Sequence, residues 1–288
     1  MDATAEHAPR ERSFHLPSRG GDMAALEFGP AERPVDIVFC HANGFNARTY
    51  RTILAPLAAE LRLLALDLRG HGATRLPADP ERLSGWDVFA DDLLAVLQLA
   101  TDRPVVLAGH SLGAITCLLA AVAAPAQVRS LVLFEPVMLD AAALGAPMPE
   151  HPITRATLRR RETFPSRAAM MDAYRGRGAF ETWSEAQLAD YAAGGLVETD
   201  AGEVALACRP AWEAAIYAQQ DVHAWEAMGK VRCPLRILAG VEGSSVGPRA
   251  QALARAVGAR LEITPGTTHF LPMERPELVR QALREAAR

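Results

Sequence analysis

Residues 109–113 read "GHSLG", a serine between two glycines, and their surroundings make Ser111 a candidate nucleophile. Before them "PVVLAG" is an apolar run of strand length, and after them "LGAITCLLAAVAA" has the length and composition of a buried helix. A strand, a sharp turn carrying the serine, and a helix form a nucleophile elbow. Such a turn pushes the hydroxyl of Ser111 outward beside the positive end of the helix, and Gly109 and Gly113 leave room for the chain to fold back. A serine hydroxyl is a poor nucleophile until a base takes its proton, and histidine is the side chain suited to that near neutrality. Of the eight histidines, His269 in "PGTTHFLPMERPE" alone follows the last predicted strand. That is where the chain order serine, acid, histidine puts the base of this elbow.

The elements that must position these groups are visible as an alternation. Strand-like runs fall at 25–28, 35–40, 61–66, 104–109, 130–134, 234–240 and 260–264. Helix-period stretches fall at 49–61, 86–100, 112–124, 249–257 and 276–287, and the second has a predicted capping box from Ser84 to Asp87. Near-continuous apolar strands between amphipathic helices predict an α/β fold with a mostly parallel sheet covered on both faces. Residues 137–226 break the alternation: they read as helical, arginine-rich and aromatic-bearing, too long for a loop, and predict an inserted helical lid. The expected organisation is a disordered leader at 1–12, a core at 13–136 and 227–288, and a cap at 137–226. The run "SLVLFEPV" ends in Glu135, and a carboxylate closing five apolar strand residues is costly to bury without a partner.

Four stretches, "HANGFNARTY", "DLRGHGATR", "AGHSLGA" and "THFLPMERPE", in this order and at these spacings, resemble the α/β-hydrolase superfamily from about Phe14 to Arg288. The resemblance implies that "HAN" supplies one backbone N–H of an oxyanion hole, from Asn43 or by a shift from Gly44. The second donor would be Leu112, the residue after the nucleophile. Many members carry the acid after the strand that here reads "PLRILAG", but the continuation "VEGSSVGP" has only Glu242 near that place. Some branches, including certain haloalkane dehalogenases and zearalenone lactone hydrolases, carry a glutamate one strand earlier, at the position of Glu135. The expected triad is therefore Ser111, His269 and Glu135, with Glu242 as the alternative acid. Asp67, Arg69 and His71 in "DLRGHG" are expected to brace loops. In "RATLRRRE" Arg155 and Arg159 share a helical face, expected to be solvated rather than selective for an anion.

These residues predict a serine hydrolase that cleaves an ester or lactone through an acyl-enzyme. The alternatives are a C–C hydrolase or cofactor-free lyase or peroxidase on the same triad, and a non-catalytic ligand-binding relative. No cofactor and no metal is expected, since Cys40, Cys117, Cys208 and Cys233 form no metal-spaced pairs. A net charge of −4 over 288 residues carries no nucleic-acid footprint. The N-terminus lacks the apolar segment of a signal peptide, and no run reaches membrane-spanning length, which predicts a cytoplasmic protein. Trp183, Trp212, Tyr174, Tyr191, Met170, Met171 and Phe180 give the lid apolar surface for a hydrophobic small-molecule substrate.

Overall fold

The computed structural model of the chain describes residues 8–138, 148–219 and 223–288. Strand β1 (Arg10–Leu16) forms an antiparallel hairpin with β2 (Gly21–Phe28). β3 (Ile37–Cys40), α1 (Arg51–Leu54), β4 (Leu63–Leu66), α2 (Asp87–Ala100), β5 (Val105–His110), α3 (Leu112–Ala123) and β6 (Val128–Phe134) follow. The next stretch holds α4 (Pro152–Leu158), β7 (Thr163–Phe164), α5 (Arg167–Tyr174), α6 (Glu185–Gly195), β8 (Leu196–Glu198), β9 (Val204–Leu206), α7 (Pro210–Ala218) and α8 (His223–Lys230). The chain closes with β10 (Leu235–Ala239), α9 (Pro248–Ala256), β11 (Arg260–Ile263), α10 (Leu271–Glu274) and α11 (Pro276–Ala287).

The main sheet has the order β1-β2-β4-β3-β5-β6-β10-β11, antiparallel in its first two pairings, β1–β2 and β2–β4, and parallel from β4 onward. It is the α/β-hydrolase fold, with both faces covered. Alternation along the central strands divides the core: Val105 and Leu107 of β5 pack with α2 and α3 through Phe89, Leu93 and Leu118. Val106 and Ala108 face the other way, toward Ile53 and Leu54 of α1 and Val279 and Leu283 of α11.

Four details depart from the sequence reading. The segment read as a leader already contains strand from Arg10; Arg10 and Arg12 look like solvated charges but both pair with the buried carboxylate of Glu27. Residues 1–7 lie outside the described region. The stretch read as wholly helical holds an antiparallel sheet, β7-β9-β8, whose strands are two or three residues long and too short to show a period. The helix expected over 49–61 is broken into α1 and flanking 3-10 turns, because Pro56 lacks the N–H that would continue it. The capping box at Ser84 does not form: α2 starts after Trp86, whose indole instead donates to Ile216 O at 3.0 Å. Among the described residues no helix is long and apolar enough to cross a membrane.

Candidate active site

The turn after β5 is built as the glycine spacing requires. A Cβ at Gly109 would lie 2.3 Å from Gly113 O, and one at Gly113 would lie 2.2 Å from Cys40 O, so neither place admits a side chain without moving backbone. Ser111 is held at φ +56, and its N–H donates to Phe134 O at 3.0 Å. Among the described residues only one other non-glycine has a positive φ, Glu135 at +48, and its N–H donates to Leu238 O at 2.9 Å. Each such conformation costs about 1–3 kcal/mol and persists only where neighbours over-determine it. Both strained residues stand at the carboxyl ends of the adjacent strands β5 and β6.

His269 joins them. Its Nε2 lies 3.0 Å from Ser111 Oγ and its Nδ1 lies 3.2 Å from Glu135 Oε2, so Nδ1–H donates to the carboxylate and Nε2 accepts from the serine hydroxyl. Its loop is pinned by Glu274, which accepts from Thr268 N–H and Thr268 Oγ1 at 2.8 Å each. His110 faces away from Ser111 and accepts from Tyr50 at 2.7 Å while its Nε2–H donates to His269 O at 2.8 Å, fixing the backbone that carries the imidazole. Glu135 is fully buried. Burial pushes its pKa up, but the bond from His269, together with the N–H groups of Gly240 and Ser245, holds it below the ordinary carboxylate value.

The loop "VEGSSVGP" does not supply the carboxylate that meets His269; it cradles it. Ser244 Oγ donates to the Glu135 carboxylate at 2.9 Å, and Ser245 contributes its N–H at 2.9 Å and its hydroxyl at 3.1 Å. Sequence reasoning missed these two serines; the signal was two hydroxyls standing where an acid was expected. Glu242 is exposed, paired through its backbone in a bridge to Thr268, and among the described residues its carboxylate makes no hydrogen bond or ion pair with His269, whose ring bonds to Glu135 and Ser111.

Around the candidate oxyanion loop three buried histidines act as braces. His71 Nε2 accepts from Gly44 N–H at 3.0 Å while its Nδ1–H donates to Arg69 O at 2.9 Å. His41 Nε2 accepts from Leu68 N–H at 2.9 Å and its Nδ1–H donates to Ala42 O at 2.7 Å. Since Gly44 N–H is engaged, the free donor of this loop falls to Asn43, which lines the same cavity as Ser111 and Leu112. Asp67 accepts from Ala47 and Ala73 N–H, and Arg69 forks onto Asp92, so "DLRGHG" is a brace as read.

Each of these imidazoles has one nitrogen facing a donor, so a second proton would set N–H against N–H or O–H. Burial accordingly lowers His71 to about 4, His110 to about 3, and His41 well below its ordinary value. The unfolded chain protonates the same groups near ~6.5. Stability from neutral histidines is therefore fully present above that pH and is lost as pH falls toward the folded values. Asp67, raised by burial to about 6, works the opposite way below that pH, as do Asp190 and Glu213, also raised by burial, whereas Glu27 and Glu135, held below the ordinary carboxylate value, add to the loss. The thermal midpoint is expected to fall steadily between pH 7 and pH 4; a flat profile in that range contradicts neutral burial of the three rings.

Ser111 and His269 open into a cavity of about 770 Å³, within the usual range for small-molecule sites. Phe45, Trp86, Phe180 and Phe270 give it apolar walls. Of the aromatic residues in the intervening stretch, Tyr174, Tyr191 and Phe180 face the cavity, whereas Trp212 packs in the core with its indole on Arg69 O. Arg155 and Arg159 are exposed, as expected. Their neighbour Arg160, not singled out in the sequence, turns inward to Glu213, Tyr174 and Tyr191.

The profile of the Alpha/beta hydrolase family matches residues 37–282. A 2-(acetamidomethylene)succinate hydrolase of Mesorhizobium japonicum is 29% identical over 140 residues, 47% of this chain and 47% of that protein. An esterase of Mycobacterium tuberculosis is 29% identical over 154 residues, 54% of this chain and 50% of that protein. The chain spans about half the length of these curated relatives. Among solved structures, an E-2-(acetamidomethylene)succinate hydrolase superposes with a TM-score of 0.81 at 22% identity, over 96% of this chain and 98% of the other. The Mycobacterium tuberculosis esterase gives 0.74 at 23%, over 96% and 91%. At such identities what is shared is the fold. The family match adds what the superpositions leave open, because the elbow, Glu135, His269 and the Asn43 loop all lie inside it: the chain belongs to the alpha/beta hydrolase family.

Proposed function

We propose that this hydrolase cleaves a carboxylic ester or lactone through an acyl-enzyme on Ser111. The observation that carries the reading is the unbroken line from Ser111 Oγ, in the lining of a mostly apolar cavity, through His269, at 3.0 and 3.2 Å, to the buried carboxylate of Glu135. As Ser111 Oγ attacks the acyl carbon, its proton passes to His269 Nε2, and Glu135 balances the positive imidazolium through the Nδ1–H bond. Charge developing on the carbonyl oxygen is met by the N–H groups of Asn43 and Leu112, set by the loop after β3 and the first turn of α3. Collapse breaks the bond to the alcohol oxygen, which takes the proton back from Nε2. A water, deprotonated by the same nitrogen, then frees the acid and restores Ser111.

The stretch from α4 to α7, within the expected cap at 137–226, is the lid of this reading, and α8 packs on α3 of the core. The lid is tied to the core by Asn46 to Tyr191 O at 3.1 Å, Arg51 to Asp190 at 2.7 Å and Gln187 to Met273 O at 3.0 Å. Similar proteins named as an esterase and as a succinate-derivative hydrolase support hydrolysis of an acyl substrate.

The test is labelling with a fluorophosphonate probe together with turnover of p-nitrophenyl acyl esters. Rapid labelling of the wild type is expected, with Ser111→Ala unlabelled and its turnover lower by at least about 10⁴-fold. A chain that cleaves ketones but not esters belongs to the C–C hydrolase reading. A chain that neither labels nor turns over is a ligand-binding relative.

A further inference from the structure

The lining is mostly apolar, and apart from polar side chains such as those of Asn43, Ser111, His151 and His269 its charged groups gather at one place. There Arg160 donates to Glu213 and to the hydroxyls of Tyr174 at 3.0 Å and Tyr191 at 3.3 Å. Burial opposes the charge of Arg160, yet the groups around it more than offset this, so it stays protonated. A guanidinium has five N–H donors. Three are used here, and among the described residues the other two have no acceptor. The tyrosine hydroxyls that accept from Arg160 still have their own protons to give, and Arg177 adds an exposed second cation to the lining. Among the described residues Glu213 is the one acid on this wall, and it is already committed to Arg160. The wall is thus a surplus of donors around a cation, in a cavity whose lining is mostly apolar.

Its location relative to the chemistry is fixed by Gly44. A Cβ there would meet Glu213 Oε1 at 2.6 Å, so the absence of a side chain lets the carboxylate, with Arg160 behind it, rest against the loop that carries Asn43. Asn43 Nδ2 in turn donates to Glu213 O at 3.0 Å. Glu213 therefore stands against the loop of the candidate oxyanion donors, with Arg160 bound to its carboxylate.

We propose that Arg160, assisted by Tyr174, Tyr191 and Arg177, forms an anion subsite, and that the substrate is an acyl compound with a carboxylate a few carbons from the carbonyl under attack. A carboxylate matches the planar fork of a guanidinium and accepts charge-assisted bonds from it and from the tyrosines. Glu213 keeps the empty subsite from holding a bare buried cation and competes with the ligand once it arrives. The proposal rests on the hydrolase reading for the place of the reacting carbonyl, but binding at the subsite is independent of turnover.

The experiment uses Ser111→Ala, which keeps the cavity and removes the nucleophile, titrated calorimetrically with 5-phenylpentanoate and with the isosteric 5-phenylpentanamide. The carboxylate is expected to bind at least about tenfold more tightly than the amide. Adding Arg160→Gln is expected to bring the ratio close to one, and adding Glu213→Gln instead is expected to raise it. Should Arg160→Gln alone unfold the protein by stranding Glu213, the pair Arg160→Gln and Glu213→Gln removes both charges together, and the same loss of preference is expected. Equal affinity for acid and amide in Ser111→Ala, or no measurable binding of the acid, overturns the proposal. So does a preference that survives Arg160→Gln and Arg177→Gln, which puts the carboxylate at the oxyanion donors. An enzyme without ester turnover that still shows the Arg160-dependent preference refutes the hydrolase reading and leaves the subsite standing.

Discussion

Glu135→Gln is expected to lower kcat by about 10⁴-fold with KM little changed, while Glu242→Gln leaves both as they are. The substitution preserves volume, so the loss comes from the direction of hydrogen bonds. Four donors of the cradle, the N–H groups of Gly240 and Ser245 and the hydroxyls of Ser244 and Ser245, point at this side chain. An amide has one oxygen to give them. With that oxygen turned to the cradle, its NH2 faces His269 Nδ1, which must then accept, so the ring's proton moves to Nε2. An Nε2–H cannot take the proton of Ser111. The measurement is steady-state kinetics on an ester that the wild type turns over, beside thermal unfolding to show that the variant is folded. Retention of more than a tenth of kcat, or an equal loss in Glu242→Gln, removes Glu135 from the proposed triad.

Gly113→Val is expected to cost more than about 4 kcal/mol and to lower the thermal midpoint by more than about 10 °C. The atoms that its side chain would strike, Cys40 O at 2.2 Å and His41 O at 2.6 Å, are backbone at the end of the central strand β3 and cannot rotate away. Relief has to come from moving α3 off the sheet, and that also separates Leu112 from the Asn43 loop, so activity should fall with stability. Gly229→Ala is the control: a Cβ there meets nothing within 4 Å, and alanine is the better helix former. A Gly113→Val protein with the wild-type midpoint would show that the elbow tolerates a side chain at this place.

What the sequence disclosed and what it hid follow from the same physics. The elbow was readable because its demand is steric and local: two glycines, a serine, an apolar strand and an apolar helix. Glu135 was readable because a carboxylate closing an apolar strand is an anomaly that needs a partner. Strand β1 was hidden because an edge strand whose burial alternates only at Phe14 and Leu16 looks like polar leader, and its stabilising partner, Glu27, lies across a hairpin. Strands β7 to β9 are shorter than any period. Arg160, like Arg159, lies past the end of α4, and the direction it turns is decided by Glu213 and Tyr191, far away in sequence. Spacing rules see neighbours along the chain; a cavity wall is assembled from strangers.

The cradle around Glu135 has a consequence for how such enzymes diverge. β6 and β10 are adjacent and parallel, with Phe134 in register with Leu238, so the ends of the two strands lie about 4.8 Å apart. A carboxylate issuing from either end reaches the same nitrogen of the imidazole. The seat of the acid belongs to the gap between the strands and to neither strand alone. An ancestor can therefore hand the acid from one strand to the next by gaining a carboxylate on one side before losing it on the other, with the serine and the histidine untouched. In this chain the hydroxyls of Ser244 and Ser245 line the β10 side of that gap and hold the carboxylate that enters it from β6.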